Sequence, residues 1–142
     1  MVSVRPFAVK MLRTLSQHFE LCIFSLGHPN YVNGCINMLF PDKKVIRHIL
    51  SREHTQKLAT GEFVKDISIL YQDRMPDSII MVDNKEEGIL QIKNVVPIPD
   101  YEGSLNDRYM PILESYLMTF LDCDDAPAKI EKDFKERRSK SP

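Results

Sequence analysis

The stretch Ser78-Ile-Ile-Met-Val-Asp83 decides the fold class, and Asn84 follows it directly. Its uncharged run before the acid is typical of a strand that is buried on both faces. Residues 20–25 and 45–50 form two other short apolar segments of the same character. Buried strands that alternate with helices form βαβ units, so the sequence predicts an α/β fold with a mostly parallel sheet.

Helices are predicted in the segments around these strands. They cover residues 6–19, 29–40, 84–92 and 105–121, and the last of them is the longest. Pro6 and Pro29 stand where first helical residues often stand, and Pro41 ends the second helix. A short strand over residues 95–98 is predicted at a sheet edge because it contains a proline.

Length and charge narrow the class of protein. The chain has 142 residues, of which 43% are hydrophobic, and 19 basic side chains stand against 20 acidic ones. This length indicates one domain, and a net charge of −1 gives no reason to expect nucleic acid or an anionic membrane as a direct partner. No apolar run is long enough to span a bilayer, and the first residues lack the pattern of a signal peptide. A soluble, intracellular protein in the nucleus or cytoplasm is therefore expected.

The cysteines and histidines carry no recognisable metal motif. Three cysteines without a C-x-x-C pair predict no disulfide framework. The spacing of the four histidines and the cysteines matches neither a zinc knuckle nor H-E-x-x-H. The sequence therefore favours a chain without structural zinc.

Polar residues stand where a parallel sheet places its ligand. Ser25, Asp83 and Asn84 lie at or just after strand ends, and Lys65 lies in a loop that leaves another apolar segment. A hydroxyl, a lysine and an acid suit phosphate chemistry, with the acid on a hard cation such as Mg²⁺. Each residue also has an ordinary interpretation as a helix cap or a solvated charge. Spacing alone leaves phosphate chemistry the less favoured alternative.

A series of short motifs follows in order along residues 2–121. They are Val4-Arg-Pro6, Phe24-Ser25, Tyr31, Ser51-Arg-Glu53, Phe63-Val-Lys-Asp-Ile-Ser68, Ile80-Met-Val-Asp-Asn84, Asn94-Val-Val-Pro-Ile98 and Asn106-Asp107. This series resembles the NIF-type, or C-terminal-domain, phosphatase family of the haloacid dehalogenase (HAD) superfamily. The resemblance divides the chain into a homology domain, residues 1–121, and a charged tail, residues 122–142, of which one turn is expected to dock through Ile130 and Phe134.

The resemblance implies a three-layer Rossmann-like HAD fold and a Mg²⁺-dependent phosphatase. Its substrates would be phosphoserine and phosphothreonine in extended protein segments, such as the C-terminal domain of RNA polymerase II. Ser25 then stands at the hydroxyl that binds the phosphoryl group, and Lys65 at the lysine that neutralises charge. Asp83 stands at the metal-binding acid with Asn84 beside it, and Arg52 at an arginine that holds substrate phosphate.

One part of the family pattern is missing. A D-x-D-x-T/V motif, with the nucleophile and the general acid, is expected upstream of Arg5-Pro6 and does not occur in these residues. The strand that carries it is expected at the centre of the sheet, so its absence predicts two strand edges without a neighbour. Asp122-Cys-Asp124 has the right spacing, but the sequence favours a helix end that runs into an acidic tail.

Three hypotheses follow. In the first, the chain is a phosphatase domain whose nucleophile strand lies outside this sequence, and it is inactive alone. In the second, it is a non-catalytic module that binds a phosphorylated segment or another protein partner, as in a mitochondrial import receptor of the same family shape. In the third, another chain or a swapped segment supplies the strand. The substrate and the oligomeric state stay open.

Overall fold

The computed structural model describes residues 4–42 and 44–135. Of the charged tail predicted for residues 122–142, residues 136–142 lie outside this part of the chain. Residues Ala126–Asp133 of that segment form a helix instead of an irregular tail. By its internal contacts the chain divides into two units. Unit 1 comprises Met1–Lys65 and Tyr101–Leu121, and unit 2 comprises Asp66–Asp100 and Asp122–Pro142.

In its described residues unit 1 contains two sheets of two strands each, three α-helices and one short 3₁₀ turn at Arg52–His54. Its elements are α1 (Ala8–Leu15), β1 (Leu21–Phe24), α2 (Pro29–Leu39), β2 (Ile46–Leu50), β3 (Gln56–Lys57), β4 (Phe63–Val64) and α3 (Tyr109–Met118). Strands β1 and β2 are parallel, whereas β3 and β4 form an antiparallel pair. Helix α3 packs on α1, and both bury apolar residues.

The sequence explains why α2 begins and ends where it does. Pro29 is its first residue, and the ring nitrogen Nδ1 of His28 accepts a hydrogen bond of 3.4 Å from the backbone N–H of Asn30. Pro41 follows Phe40, the C-terminal cap residue, and Phe40 is 2% exposed. Because Phe40 packs with Val45 and Ile46, the helix end and the start of β2 share one apolar cluster.

Over its described residues, 66–100 and 122–135, unit 2 contains one parallel strand pair and one α-helix. Strand β5 (Met81–Asp83) pairs with β6 (Val95–Pro97), and α4 (Ala126–Asp133) packs on β6. Three short 3₁₀ turns complete the unit, at Ile67–Leu70, Pro76–Ser78 and Ile92–Asn94.

Three helix predictions need correction. The first helix, expected over residues 6–19 with Pro6 at its start, is the shorter α1, because Phe7 before it has a left-handed backbone with φ 70°. Residues 84–91 form turns instead of a helix, since the Asp83 carboxylate accepts the backbone N–H of Lys85 and Gly88 weakens a helix. The helix expected over 105–121 is confined to α3, which has 10 residues against 11 in α2. Leu105 lies outside it and is 85% exposed.

The predicted α/β class with parallel strand pairs is confirmed. Among the described residues, β1 has only β2 as a strand partner and β5 only β6. All residues of β1 and β5 are half-buried, which differs from the full burial typical of central strands. No helix in the described ranges has the length and hydrophobicity needed to cross a membrane.

Candidate functional site

Ser25 follows β1 at the carboxyl end of the parallel pair. Its backbone N–H donates to the Leu50 carbonyl at 2.9 Å, which extends the pairing with β2 by one bond. Its Oγ accepts the backbone N–H of Gly27 at 3.0 Å. The half-buried hydroxyl therefore sits in a tight turn and keeps its own proton available for donation to an anion.

Arg52 is fixed beside this turn by two hydrogen bonds. Its backbone N–H donates to the Gly27 carbonyl at 3.0 Å, and its Nε donates to the Leu26 carbonyl at 2.8 Å. Neither bond uses the two terminal amino groups of the guanidinium. A phosphate can accept from those groups in the paired geometry that arginine favours.

The backbone around Arg52 is held by His54, which was not among the predicted site residues. His54 accepts the N–H of Ser51 on Nδ1 at 3.0 Å and donates its own N–H to the Ser51 carbonyl at 2.9 Å. Ser51 is only 2% exposed. This reciprocal pair closes the turn that presents Arg52.

Lys65 directly follows β4 in the same unit and is half-buried. Two residues earlier, the Phe63 ring lies 5.5 Å from the Arg52 guanidinium carbon and 5.8 Å from Lys57 Nζ. Stacking of a guanidinium on an aromatic ring restricts its motion. The structure thus joins Ser25 and Arg52 through one turn, and Phe63 connects that turn to the segment that carries Lys65.

Tyr31 stands in the first turn of α2 next to the Ser25 turn. A methyl group built at Gly27 would lie 3.8 Å from its Cδ2 atom. The phenol is 62% exposed, and a hydrogen bond with Cys35 raises the pKa of Tyr31 above its ordinary value. An exposed aromatic ring beside the Ser25 turn offers an apolar surface to a ligand that binds at this turn.

Asp83 and Asn84 lie at the carboxyl end of the β5–β6 pair. The Asp83 carbonyl accepts the N–H of Ile98 at 3.2 Å, and its Oδ1 accepts the N–H of Lys85 at 2.9 Å. Asn84 Nδ2 donates to Asp100 Oδ1 at 2.7 Å. Asp100 was not among the predicted site residues, because nothing in the linear sequence links it to Asn84.

The three side chains Asp83, Asn84 and Asp100 offer only oxygen atoms to a cation. Mg²⁺ takes oxygen ligands and is commonly held by one or two carboxylates, with water and substrate phosphate completing its shell. The donor set therefore fits Mg²⁺.

The rest of the V-K-D-I-S motif has a structural role. The Asp66 carboxylate accepts the N–H of Ser68 at 2.9 Å and Nε2 of Gln91 at 2.6 Å, while Ile67 N donates to Gln91 Oε1 at 2.9 Å. Hydrogen bonds from Ser68 and then Gln91 lower the pKa of Asp66 below its ordinary value. The buried Ile67 and these bonds anchor the segment that follows Lys65.

The spacing Asp122-Cys-Asp124 does not end a strand. Both aspartates are exposed and lie between α3 and α4. The next residue, Asp125, caps α4 by accepting the N–H of Ala128 at 3.1 Å. The interpretation of this segment as a helix end that runs into an acidic stretch agrees with the structure.

A model of the family described as NLI interacting factor-like phosphatase matches residues 1–127. The chain belongs to this phosphatase family. It is 33% identical over 117 residues to CTD small phosphatase-like protein 3 of Caenorhabditis elegans, covering 82% of this chain and 40% of that protein. It is 29% identical over 132 residues to CTD small phosphatase-like protein 2 of Dictyostelium discoideum, covering 92% and 23% of the two chains.

The chain is also similar to proteins with another name. Mitochondrial import inner membrane translocase subunit tim50 of Emericella nidulans is 32% identical over 117 residues, which cover 82% of this chain and 21% of that protein. The chain thus spans well under half the length of these curated relatives.

Solved structures confirm the fold of this phosphatase family. The fission yeast RNA polymerase II CTD phosphatase Fcp1 superposes with a TM-score of 0.60 at 20% identity, covering 95% of this chain and 40% of that one. A second structure of Fcp1 gives a TM-score of 0.58. This likeness establishes the predicted HAD-type α/β fold.

Proposed function

We propose that this chain is the phosphate-recognising part of a Mg²⁺-dependent phosphatase domain. Its substrates are phosphoserine and phosphothreonine in extended protein segments, of which the RNA polymerase II C-terminal domain is one example. One observation carries the proposal: Ser25 and Arg52 are fixed around the same turn at the carboxyl end of a parallel strand pair. In α/β sheets this edge is where ligands bind.

In this proposal each side chain has a distinct task. The Ser25 hydroxyl donates to a phosphoryl oxygen, since its own oxygen is oriented by the Gly27 N–H. The terminal amino groups of Arg52 hold substrate phosphate, and the Lys65 ammonium offsets the negative charge that builds up during transfer. All three groups act by position and charge.

Asp83 and Asn84 are the proposed Mg²⁺ residues, and Asp100 orients Asn84 through the 2.7 Å hydrogen bond. When bound, Mg²⁺ neutralises charge on phosphoryl oxygens. The chain's own contribution is to keep a carboxylate and an amide oxygen together at the end of β5. The Asp83 backbone bond to Ile98 holds that end against the residue after β6.

Turnover in this proposal needs a D-x-D-x-T/V segment, which these 142 residues do not contain. The chain alone then binds a phosphorylated peptide and releases no phosphate. The homology domain is proposed to cover residues 1–121, with residues 122–142 as a charged extension. A segment outside this sequence, or one from another chain, would supply the nucleophile.

Two measurements test the proposal. The first compares the affinity of the chain for a phosphoserine peptide and for its unphosphorylated form, with Ser25→Ala and Arg52→Ala as variants. Loss of one charged phosphate contact is expected to weaken binding by about tenfold, equivalent to about 1.4 kcal/mol. The exposed residues Ser115→Ala and Arg47→Ala are matched controls that should leave affinity unchanged. Equal affinity for both peptide forms would contradict the proposal.

The second measurement is aryl-phosphate hydrolysis with Mg²⁺ and with chelator. The chain alone should be inactive, whereas a version extended upstream through a D-x-D-x-T/V segment should hydrolyse the substrate only with Mg²⁺. In the extended version, Asp83→Asn should remove the Mg²⁺-dependent activity. Activity of the chain alone would show that its nucleophile lies within these residues.

A non-catalytic binding role is the second candidate. The tim50 relative, named as an import translocase subunit, is as similar to this chain as the phosphatase-like relatives are. In that case an upstream extension would add no hydrolysis, and a protein partner would bind whether or not it is phosphorylated. This candidate fits a mitochondrial location, whereas the phosphatase proposal expects the nucleus or cytoplasm.

A further inference from the structure

Three side chains with different metal-binding atoms meet at the amino end of the β1–β2 pair. They are Glu20, Cys22 and His48, and their carboxylate, thiol and imidazole atoms all lie within 4.8 Å of one another. Glu20 Oε1 and His48 Nε2 are 3.4 Å apart. None of these residues belongs to the proposed phosphate site, which is at the opposite end of the same strands.

An irregularity in the strand pairing produces this meeting. Leu21 pairs with Ile46, but the next residue, Cys22, pairs with His48, so that Arg47 is an extra residue in β2. In a regular strand Ile46 and His48 would point to the same face, because side chains alternate. Here Ile46 is buried while Arg47 and His48 are both exposed, as expected of a bulge that redirects a side chain.

We propose that Glu20, Cys22 and His48 form a zinc site on the β1–β2 pair. A thiolate, an imidazole nitrogen and a carboxylate oxygen are the three ligand types that Zn²⁺ takes in proteins, and water supplies the fourth ligand of the tetrahedron. Binding releases the thiol proton of Cys22 to solvent, and His48 binds as neutral imidazole through Nε2.

The spacing of the atoms suits this ion. Around a tetrahedral Zn²⁺, nitrogen and oxygen ligands at about 2.1 Å from the metal lie about 3.4 Å apart. The observed distance between His48 Nε2 and Glu20 Oε1 is 3.4 Å. The thiol needs a shift of no more than about 1.2 Å, since a sulfur and a nitrogen ligand are about 3.6 Å apart around the ion. Rotation of the half-buried Cys22 side chain, together with small movements of the exposed Glu20 and His48 side chains, supplies that shift.

The chemistry of the donors separates this site from the proposed Mg²⁺ site. Mg²⁺ and Ca²⁺ prefer oxygen ligands and bind thiolate poorly, whereas Zn²⁺ binds thiolate and imidazole together. The Asp83 cluster offers oxygen alone, while the Cys22 cluster offers sulfur, nitrogen and oxygen. The two clusters should therefore select different cations from the same solution.

Zinc at this position would hold β1 and β2 together, and the Ser25 turn lies at the carboxyl end of this strand pair. Cys22 precedes Ser25 by three residues in an extended segment, a separation of about 10 Å along the strand. The ion would bridge β1 and β2 where the bulge interrupts their regular pairing. Zinc binding is thus expected to stabilise unit 1 without contact between the ion and substrate phosphate.

The test is metal binding by the untagged 142-residue chain, reduced with a phosphine and freed of metal. Zn²⁺ is titrated in competition with a chromophoric chelator, and Co²⁺ serves as a spectroscopic probe of thiolate ligation. One equivalent of Zn²⁺ should bind, Co²⁺ should give a thiolate-to-cobalt charge-transfer band, and Zn²⁺ should raise the unfolding temperature reversibly with chelator. Excess Mg²⁺ should not displace the zinc.

Single variants identify the ligands. Cys22→Ser should abolish the charge-transfer band and weaken Zn²⁺ binding at least about tenfold, and His48→Gln should weaken it similarly. His48 has a 56% exposed side chain, so this second variant should keep the fold, which circular dichroism verifies. Cys123→Ser and His18→Asn are matched controls that should retain both affinity and band. The proposal would be overturned if the cobalt charge-transfer band were absent. It would also be overturned if a control variant lost as much Zn²⁺ affinity as Cys22→Ser or His48→Gln.

Discussion

Arg5 Nε and Asp107 Oδ1 lie 3.0 Å apart although 102 residues separate them in the sequence. The Arg5 guanidinium carbon also lies 5.7 Å and 5.2 Å from the ring centres of Tyr101 and Tyr109. Asp107 Oδ1 in turn accepts the backbone N–H of Tyr109 at 3.0 Å. The R-P and N-D motifs at the two ends of unit 1 are thus parts of one structural contact that fixes the start of α3.

Replacing Arg5 should make the chain more sensitive to acid. Hydrogen bonding to Arg5, and then to the N–H of Tyr109, lowers the pKa of Asp107 below its ordinary value. A carboxylate with a lowered folded pKa stabilises the fold fully above the ordinary aspartate pKa of about 3.9, and this contribution disappears as pH falls through the folded pKa. In Arg5→Gln the Asp107 pKa should rise and acid unfolding should begin at higher pH.

Carboxyl NMR titration of Asp107 and circular dichroism against pH measure the two effects. Arg5→Lys keeps the positive charge but loses the Nε–H and the planar stack, so the Asp107 pKa should rise less than in Arg5→Gln. Arg13→Gln, which removes an exposed ion pair with Asp42, is the control. It should leave the pH at which acid unfolding begins unchanged. An unaltered Asp107 pKa in Arg5→Gln would contradict this account.

The elements β1, α2 and β2 could be predicted because local signals determine them. Pro29 and Pro41 bracket α2, and the apolar segments before and after it become β1 and β2. The position of Ser25 at the end of β1 also followed from the sequence, since parallel strands place their carboxyl ends at the ligand edge. The proline signal also placed the start of the first helix at Pro6, whereas α1 begins two residues later, at Ala8.

The remaining features depend on contacts that linear spacing does not show. The helix predicted after Asp83 does not form. Instead, the Asp83 carboxylate accepts the backbone N–H of Lys85, and the Asn84 amide donates to Asp100. The meeting of Cys22 with His48 depends on the strand register and on one bulge, so no motif of spacing could reveal it. Tertiary pairing, rather than propensity, decides each of these cases.

Ile130 should contribute strongly to stability although it lies in a segment predicted as a charged tail. It is 0% exposed, and α4 packs on β6 and on two of the 3₁₀ turns of unit 2. Ile130→Ala should lower the free energy of unfolding by about 2–5 kcal/mol, because a fully buried side chain leaves a cavity. Denaturant unfolding measures this change.

The control for Ile130→Ala is Ile112→Ala in α3, where the side chain is 62% exposed. That variant should change stability by no more than about 0.5 kcal/mol. A chain that ends at residue 121 should show a loss at least as large as that of Ile130→Ala. If the chain that ends at residue 121 were as stable as the full chain, α4 would not support unit 2.

Asn94 should be needed for the loop that precedes β5. The side chain is 4% exposed, and its Nδ2 donates to the Pro76 carbonyl at 2.9 Å and to the Ile79 carbonyl at 2.8 Å. Asn94→Ala removes both donors and should cost about 1–3 kcal/mol for each carbonyl left without a partner. Asn94→Asp should be as harmful, since a carboxylate cannot donate. Asn106→Ala, at an exposed position, is the control, and denaturant unfolding measures both variants. An equal loss of unfolding free energy in the two variants would refute the role of Asn94 in this loop.

Gly27 should be required for phosphate binding because a side chain there would collide with the turn. A Cβ atom at Gly27 would lie 3.0 Å from Val32 Cγ2 and 3.2 Å from Ser25 Oγ. Gly27→Ala should therefore displace the Ser25 hydroxyl, weaken phosphopeptide binding by about tenfold and cost about 1–3 kcal/mol of stability through crowding.

Gly34→Ala in α2 is the matched control for Gly27→Ala. Apart from its chain neighbours and the backbone of α2 itself, no described atom lies within 4 Å of a Cβ built at Gly34, and alanine favours the helix by about 0.5–1 kcal/mol over glycine. This variant should bind phosphopeptide normally and unfold at a higher temperature. Isothermal titration and thermal unfolding of both variants provide the comparison. If Gly27→Ala binds as tightly as the unmodified chain, the Ser25 turn does not hold the phosphate, and the proposed recognition site must be placed elsewhere.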